Sequence, residues 1–247
     1  MLLWAHRGGG KGTLENTLAG FELAVRRGFK AVEFDIMATR DGKLVLHHDF
    51  RLGRLSELNP ESLHAHDSLL AALSEMELRD FKINKAQLLH FQEFAYFLFA
   101  NQLQANVELK AQSPRAALEL GRLTALLVDS LTGLEQAQVA RDWVFSSFYH
   151  ASLIPLEGWQ RALLYEQLPD NWSIRANALQ ANAIHLHWTG ATQEAVRRIH
   201  ATGRKVRVYT VNEAGEAVRL QALGVSGLFT DRIEDVSNLL TSLNLNS

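Results

Sequence analysis

A chain of 247 residues with 47% hydrophobic and 21% charged residues has the size and composition of a folded globular enzyme, not of a disordered or fibrous segment. Its net charge of −2 gives no basic footprint for nucleic acid and no general attraction to anionic membranes, so any phosphate recognition must be local. The absence of cysteine excludes disulfides, thiolate catalysis and Cys-based zinc or iron–sulfur sites, and fits a cytoplasmic protein. Met1-Leu2-Leu3-Trp4 runs straight into His6-Arg7, which leaves no room for a signal peptide, and the apolar stretch 91–100 is too short to span a bilayer. The expectation is a cytoplasmic protein with no stable membrane insertion.

In chain order, short β-branched runs alternate with helix-period segments, the pattern of parallel strands joined by helices. Strands are expected at 2–6, 31–37, 106–110, 143–147, 161–165, 183–187, 205–211 and 227–231. Helices are expected near 16–27, 86–102, 114–131, 170–181, 192–201, 213–223 and 233–240. Eight strands separated by helices match an α/β architecture of the (β/α)8 TIM-barrel type, with a doubly wound open sheet as the rival. One segment breaks the alternation. Asp41-Gly42 is a hairpin signal, and 44–48 reads as a return strand that brings His48 back beside Glu33 and Asp35. Residues 49–85 then form a polar excursion, an insertion after the second strand within a single domain spanning 1–247.

Polar residues recur where strand periodicity demands an interior. Trp4 and His6 share a face, as do Glu33 and Asp35, and Asn106, Glu108 and Lys110. Burying so many charges without a shared ligand is very costly. They make sense together if Glu33, Asp35 and Glu108 hold a divalent cation while Arg7 and Lys110 face an anion. All-oxygen ligands suit Mg²⁺ or Ca²⁺, with Mn²⁺ as a further candidate. Cation, arginine and lysine together would neutralise charge growing on a phosphoryl centre, and two rim histidines, His6 and His48, would supply the proton transfers. The Gly8-Gly9-Gly10-Lys11-Gly12 loop permits close backbone approach but is not a Walker loop, since Lys11 is followed by Gly12.

His6-Arg7-Gly8, Glu15-Asn16-Thr17, Glu33-x-Asp35, His48-Asp49 and Glu108-x-Lys110, followed by Ser146-Ser147-Phe148, Tyr209-Thr210-Val211-Asn212, Gly224-Val225 and Thr230-Asp231, resemble the ordered motifs of the glycerophosphodiester phosphodiesterase family in its bacterial, cytosolic form. The resemblance implies a TIM barrel with a small insertion after the second strand. It implies His6 and His48 as the acid/base pair, Glu33, Asp35 and Glu108 as ligands of one divalent cation, and Arg7 and Lys110 as phosphate contacts. The implied reaction releases glycerol 3-phosphate and an alcohol from a small-molecule glycerophosphodiester. Tyr209 stands where tryptophan is common and is expected to face the substrate, while Leu14 replaces a usual proline.

Blander readings compete at several positions. His47 rivals His48, but Leu44, Leu46 and His48 alternate together, which favours His48. Glu108 and Lys110 could form a mutual ion pair, and Asn16 could be a helix cap instead of a group orienting the phosphate loop. His185-x-His187 could be a metal motif, but a structural or pocket-lining role is preferred. A lysophospholipase D-like enzyme and a non-catalytic phosphate-binding barrel are the alternative functions.

Overall fold

The computed structural model describes residues 1–11, 15–52, 70–78, 82–83, 86–131 and 134–233. The strands are β1 (Leu2–Ala5), β2 (Ala31–Ala38), β3 (Leu44–Leu46), β4 (Lys82–Ile83), β5 (Ala86–Gln87), β6 (Gln104–Leu109), β7 (Val144–Ser147), β8 (Gln160–Tyr165), β9 (Ala183–His187), β10 (Lys205–Tyr209) and β11 (Gly227–Thr230). Eight of them, β1, β2 and β6 to β11, pair in parallel in that order, and β11 returns to β1 with Leu2 opposite Gly227 and Ala5 opposite Thr230. The ring is therefore closed, which decides for the TIM barrel and against the open sheet.

Alternation along each strand sorts the side chains. Phe34, Val107 and Leu228 point outward into the main hydrophobic layer beneath the helices. Inside the barrel, Trp4, Ala31 and Phe229 pack together, as do Val144, Ala162 and Ala183. Two polar residues share this lower interior. Nη1 of Arg207 donates to Nε2 of His185 at 3.2 Å, and the guanidinium lies 4.9 Å from the Trp4 ring centre. Burial brings Arg207 down to about 10 and holds His185 well below the usual imidazole range, with the Arg207 charge adding to the effect.

The outer helices are α1 (Leu18–Arg26), α2 (Phe91–Ala100), α3 (Pro114–Leu131), α4 (Leu134–Ala140), α5 (Trp172–Ala178), α6 (Gln193–His200) and α7 (Ala214–Ala222). In α2, Phe91, Phe94, Ala95 and Leu98 recur at helical spacing and are buried, and Phe94 packs 4.9 Å from Phe34 and 4.2 Å from Phe21. Thr192 caps α6 by accepting from the Ala195 N–H, and Arg197, Arg198 and His200 complement the dipole at its other end. In α3 only a glycine fits at 121, because a Cβ there would lie 2.1 Å from the Ser152 carbonyl oxygen.

Several expected boundaries move. The helix expected at 86–102 starts at Phe91, because Ala86 and Gln87 pair antiparallel with β4 and His90 bridges to Val45. The helix expected at 170–181 shortens to Trp172–Ala178, while α4 and a 3₁₀ turn at His150–Leu153 are additions. The hairpin is present: β2 continues past the barrel and pairs antiparallel with β3, Ile36 opposite Leu46. Beneath the excursion, Met37, Val45, Leu52, Leu70 and Leu78 form a small separate apolar cluster. Gly12, Leu14, His64, His66 and the helix expected beyond 233 lie outside the described residues.

Candidate active site

The carboxylates stand at the upper end of the barrel on adjacent strands. Glu33 and Asp35 come from β2 and Glu108 from β6, with Asp35 directly opposite Glu108 in the parallel register. One oxygen from each of the three lies within 4.8 Å of the others. Burial and repulsion from Asp35 and Glu108 push Glu33 well above the usual carboxylate range, and burial followed by Asp35 repulsion raises Glu108. Burial also works against charge on Asp35, but Lys110, His48, Arg7 and a hydrogen bond from Asn16 outweigh it and bring Asp35 to about 2. Three carboxyl groups whose oxygens converge within 4.8 Å of one another, with Glu33 and Asp35 buried, call for compensating positive charge. A hard divalent cation bound by oxygen donors supplies that charge, so these residues fit one.

Two cations adjoin the cluster. Lys110 Nζ lies 3.2 Å from Glu108 and 3.7 Å from Asp35, so the mutual ion pair with Glu108 does form, beside the carboxylate cluster and not in place of it. Arg7 has a positive φ of 52° and donates its backbone N–H to Glu33 at 2.8 Å. Its Nη1 donates to Glu15 at 3.2 Å, and its Nε lies 3.7 Å from Asp35. Glu15 and Asn16 thereby acquire specific tasks. Asn16 donates from Nδ2 to Asp35 at 3.0 Å and accepts the Asp35 backbone N–H at 3.3 Å. The helix cap at this point is Thr17, whose hydroxyl accepts from Gly20, and not Asn16.

The two histidines are held alike. Nδ1 of His6 is 2.6 Å from Asp231, and Nδ1 of His48 is 2.6 Å from Asp49. An ionised carboxylate only accepts, so each Nδ1 carries the proton and each Nε2 is left to exchange one. His6 Nε2 points toward the cluster, 3.8 Å from Glu33. Burial lowers His48, opposed by the Asp35 charge, and Lys110 and Arg7 lower it further. His47 has turned the other way: it is buried, and its Nε2 lies 3.4 Å from the Arg51 carbonyl oxygen.

Strand periodicity does not single out Asp231 and Asp49, the carboxylates that hold the two rings, although both sit in the motifs of the family resemblance. Asp231 takes the Lys11 N–H at 2.8 Å and the Asn212 amide at 3.0 Å as well as His6. Burial works against its charge, but His6, Asn212 and Lys11 bring it to about 2. The glycine loop serves this packing. A Cβ on Gly10 would lie 2.5 Å from the Asp231 carbonyl oxygen, and one on Gly8 would lie 2.3 Å from the Phe21 ring.

Tyr209 ends β10 at the rim, where it donates to the Tyr165 carbonyl at 3.1 Å and meets Phe148 edge-on at 6.1 Å and His187 at 5.7 Å. His185 and His187 do not form a metal pair. The first lies in the lower interior with Arg207, and the second bonds Thr189 at 2.8 Å. No helix among the described residues is long and apolar enough to cross a membrane.

A profile of the Glycerophosphoryl diester phosphodiesterase family matches residues 6–235. Among curated relatives, a glycerophosphodiester phosphodiesterase of Bacillus altitudinis is 25% identical over 242 residues, 93% of this chain and 94% of its own. One from Caldanaerobacter subterraneus is 26% identical over 255 residues, covering 97% of both chains. Among solved structures, a phosphodiesterase of Oleispira antarctica in complex with the product sn-glycerol-3-phosphate superposes with a TM-score of 0.84 at 23% identity, covering 99% of this chain and 97% of that one. A glycerophosphodiester phosphodiesterase from Thermotoga maritima gives 0.71 at 24% identity, covering 97% and 98%.

Proposed function

The chain belongs to the glycerophosphoryl diester phosphodiesterase family, and we propose that it hydrolyses small glycerophosphodiesters to glycerol 3-phosphate and an alcohol, using one divalent cation and two histidines. The observation that carries this reading is the pair of carboxylate-bound histidines beside the three-carboxylate cluster. Glu33, Asp35 and Glu108 would hold the cation, Mg²⁺ or Ca²⁺ by the hardness of the donors and Mn²⁺ as a further candidate. When bound, it supplies Lewis-acid stabilisation of charge on a phosphoryl oxygen.

The residues of the chain do the rest. Arg7 and Lys110 share the charge of the phosphodiester, and Arg7 is kept rigid by Glu15. One Nε2, of His6 or His48, takes the proton from the nucleophile as its oxygen bonds to phosphorus. The nucleophile is water, or first the neighbouring glycerol hydroxyl, in which case water opens the resulting cyclic phosphate in a second displacement. The other Nε2, protonated beforehand, gives its proton to the alcohol oxygen as the second P–O bond breaks. Asp231 and Asp49 keep the rings in the tautomer both steps need and stabilise the imidazolium. Tyr209, with Phe148 against it, walls the rim beside the bound diester.

The test is release of glycerol 3-phosphate from glycerophosphocholine, glycerophosphoethanolamine and glycerophosphoglycerol, with Mg²⁺ or Ca²⁺ supplied. Release from at least one, lost on thorough chelation, is expected. No release from any of the three with metal present would overturn the proposal.

A further inference from the structure

A cavity of about 250 Å³ opens beside Lys110, between the end of β2, the excursion and the first turns of α3. Its wall includes Met37 from β2, Phe50 and Ala71 from the excursion, and Ala116 and Leu120 from α3. The other charged residues on that wall, Arg40 and Glu119, are both committed elsewhere. Arg40 bonds Glu77 at 2.9 Å, and Glu119 lies 3.7 Å from Arg122. Lys110, which reaches Glu108 and Asp35, thus connects an apolar chamber to the carboxylate cluster. An occupant suited to both would carry an anionic centre at Lys110 and an uncharged arm running away from it. At roughly 30 Å³ per water-sized group, the chamber holds about eight such groups.

We propose that this cavity seats the alkyl part of the leaving alcohol, so that glycerophosphodiesters with a short apolar arm are preferred to those with a wholly polar alcohol. The inference rests on the diesterase reading above. Burial of a methylene favours binding about fourfold, so several methylenes in a partly open chamber should together give tenfold or more. The experiment compares kcat/KM for the n-hexyl ester of glycerol 3-phosphate with that for glycerophosphoethanolamine. It is repeated in Ala116→Trp and Ala71→Trp, which fill the chamber from different elements at exposed positions. The expected result is a hexyl-to-ethanolamine ratio above ten in the native enzyme and at least fivefold lower in both variants. A ratio near one, or a ratio that either tryptophan leaves unchanged, overturns the proposal. Hexylphosphonate binding, followed by calorimetry in the same three proteins, separates the two failures. If no diester is cleaved, the diesterase reading falls. The cavity assignment still stands or falls on whether both tryptophans weaken the phosphonate.

Discussion

Asp231→Asn tests how His6 is held. In the native protein Oδ1 of Asp231 accepts from His6 Nδ1 at 2.6 Å and from the Lys11 N–H at 2.8 Å, while Oδ2 accepts from Asn212 at 3.0 Å. Asparagine offers one oxygen and one NH₂ group, so it cannot satisfy three donors arriving on both sides. With its oxygen toward His6, its NH₂ opposes the Asn212 amide. Flipped, it donates to His6 Nδ1 and drives the ring proton to Nε2, the atom that exchanges it in the proposed mechanism. A change of this kind in a serine-protease triad costs about 10⁴ in kcat. Since His48 is untouched here, a fall of roughly 10²–10⁴ is expected, about 3–5 kcal/mol of barrier, with KM changing less than about threefold. A carboxylate depressed to about 2 contributes stability above the unfolded value near 3.8 that disappears as pH falls through 2. Allowing for its partial exposure, the variant should lose about 1–2 kcal/mol at neutral pH and nothing below pH 2. The assay is glycerol 3-phosphate release at saturating substrate, with the melting temperature measured alongside. A folded Asp231→Asn enzyme with kcat within fivefold of native would refute the orienting role.

Glu33→Gln should separate stability from activity in opposite directions. It relieves repulsion from Asp35 and Glu108, raising the melting temperature of the metal-free protein, yet turnover should fall at least 100-fold and added Mg²⁺ or Ca²⁺ should no longer stabilise. In the native protein, cation at 100 times its dissociation constant adds about 2.7 kcal/mol, seen as a rise in melting temperature of roughly 5–10 °C. His48→Gln should lower kcat by about 10² or more, whereas His47→Gln should alter stability and leave kcat within a few-fold; the reverse pattern would reassign the base. His185 is held neutral when folded and gains a proton on unfolding below the ordinary value near 6.5, so its contribution is present above that pH and is lost as pH falls. His185→Gln should therefore make stability between pH 6.5 and 5 less steep, by up to about 1.4 kcal/mol per pH unit, as measured by urea titration.

Strand spacing and hairpin chemistry made much of this legible. Period-2 alternation in 31–37 and 106–110 brought Glu33, Asp35 and Glu108 to one face because adjacent parallel strands share a register, and the closed ring then set them side by side. Asp41-Gly42 placed the hairpin because a residue with positive φ was needed there, and Gly42 has φ of 79°. What local pattern does not carry is pairing across space. Nothing around Asp231 says that it will meet His6, and nothing in Glu15-Asn16-Thr17 says which residue caps and which fastens Asp35. Boundaries failed for a related reason. Residues 86–90 have helical spacing, but pairing with Lys82 and Ile83 and the bridge from His90 to Val45 outcompete it.

The bond between His6 and Asp231 joins residues 225 apart, across the seam where β11 meets β1. His6 precedes every strand of the ring but β1, whereas Asp231 follows the eighth and last of them, β11. Until the last strand docks, the first histidine has no carboxylate to fix its tautomer, however much of the helical layer has formed. Loop closure over so long a span is among the slower events in forming such a topology. Recovery of turnover after dilution from denaturant should accordingly lag recovery of helical circular dichroism, so that catalysis itself reports the moment the ring shuts.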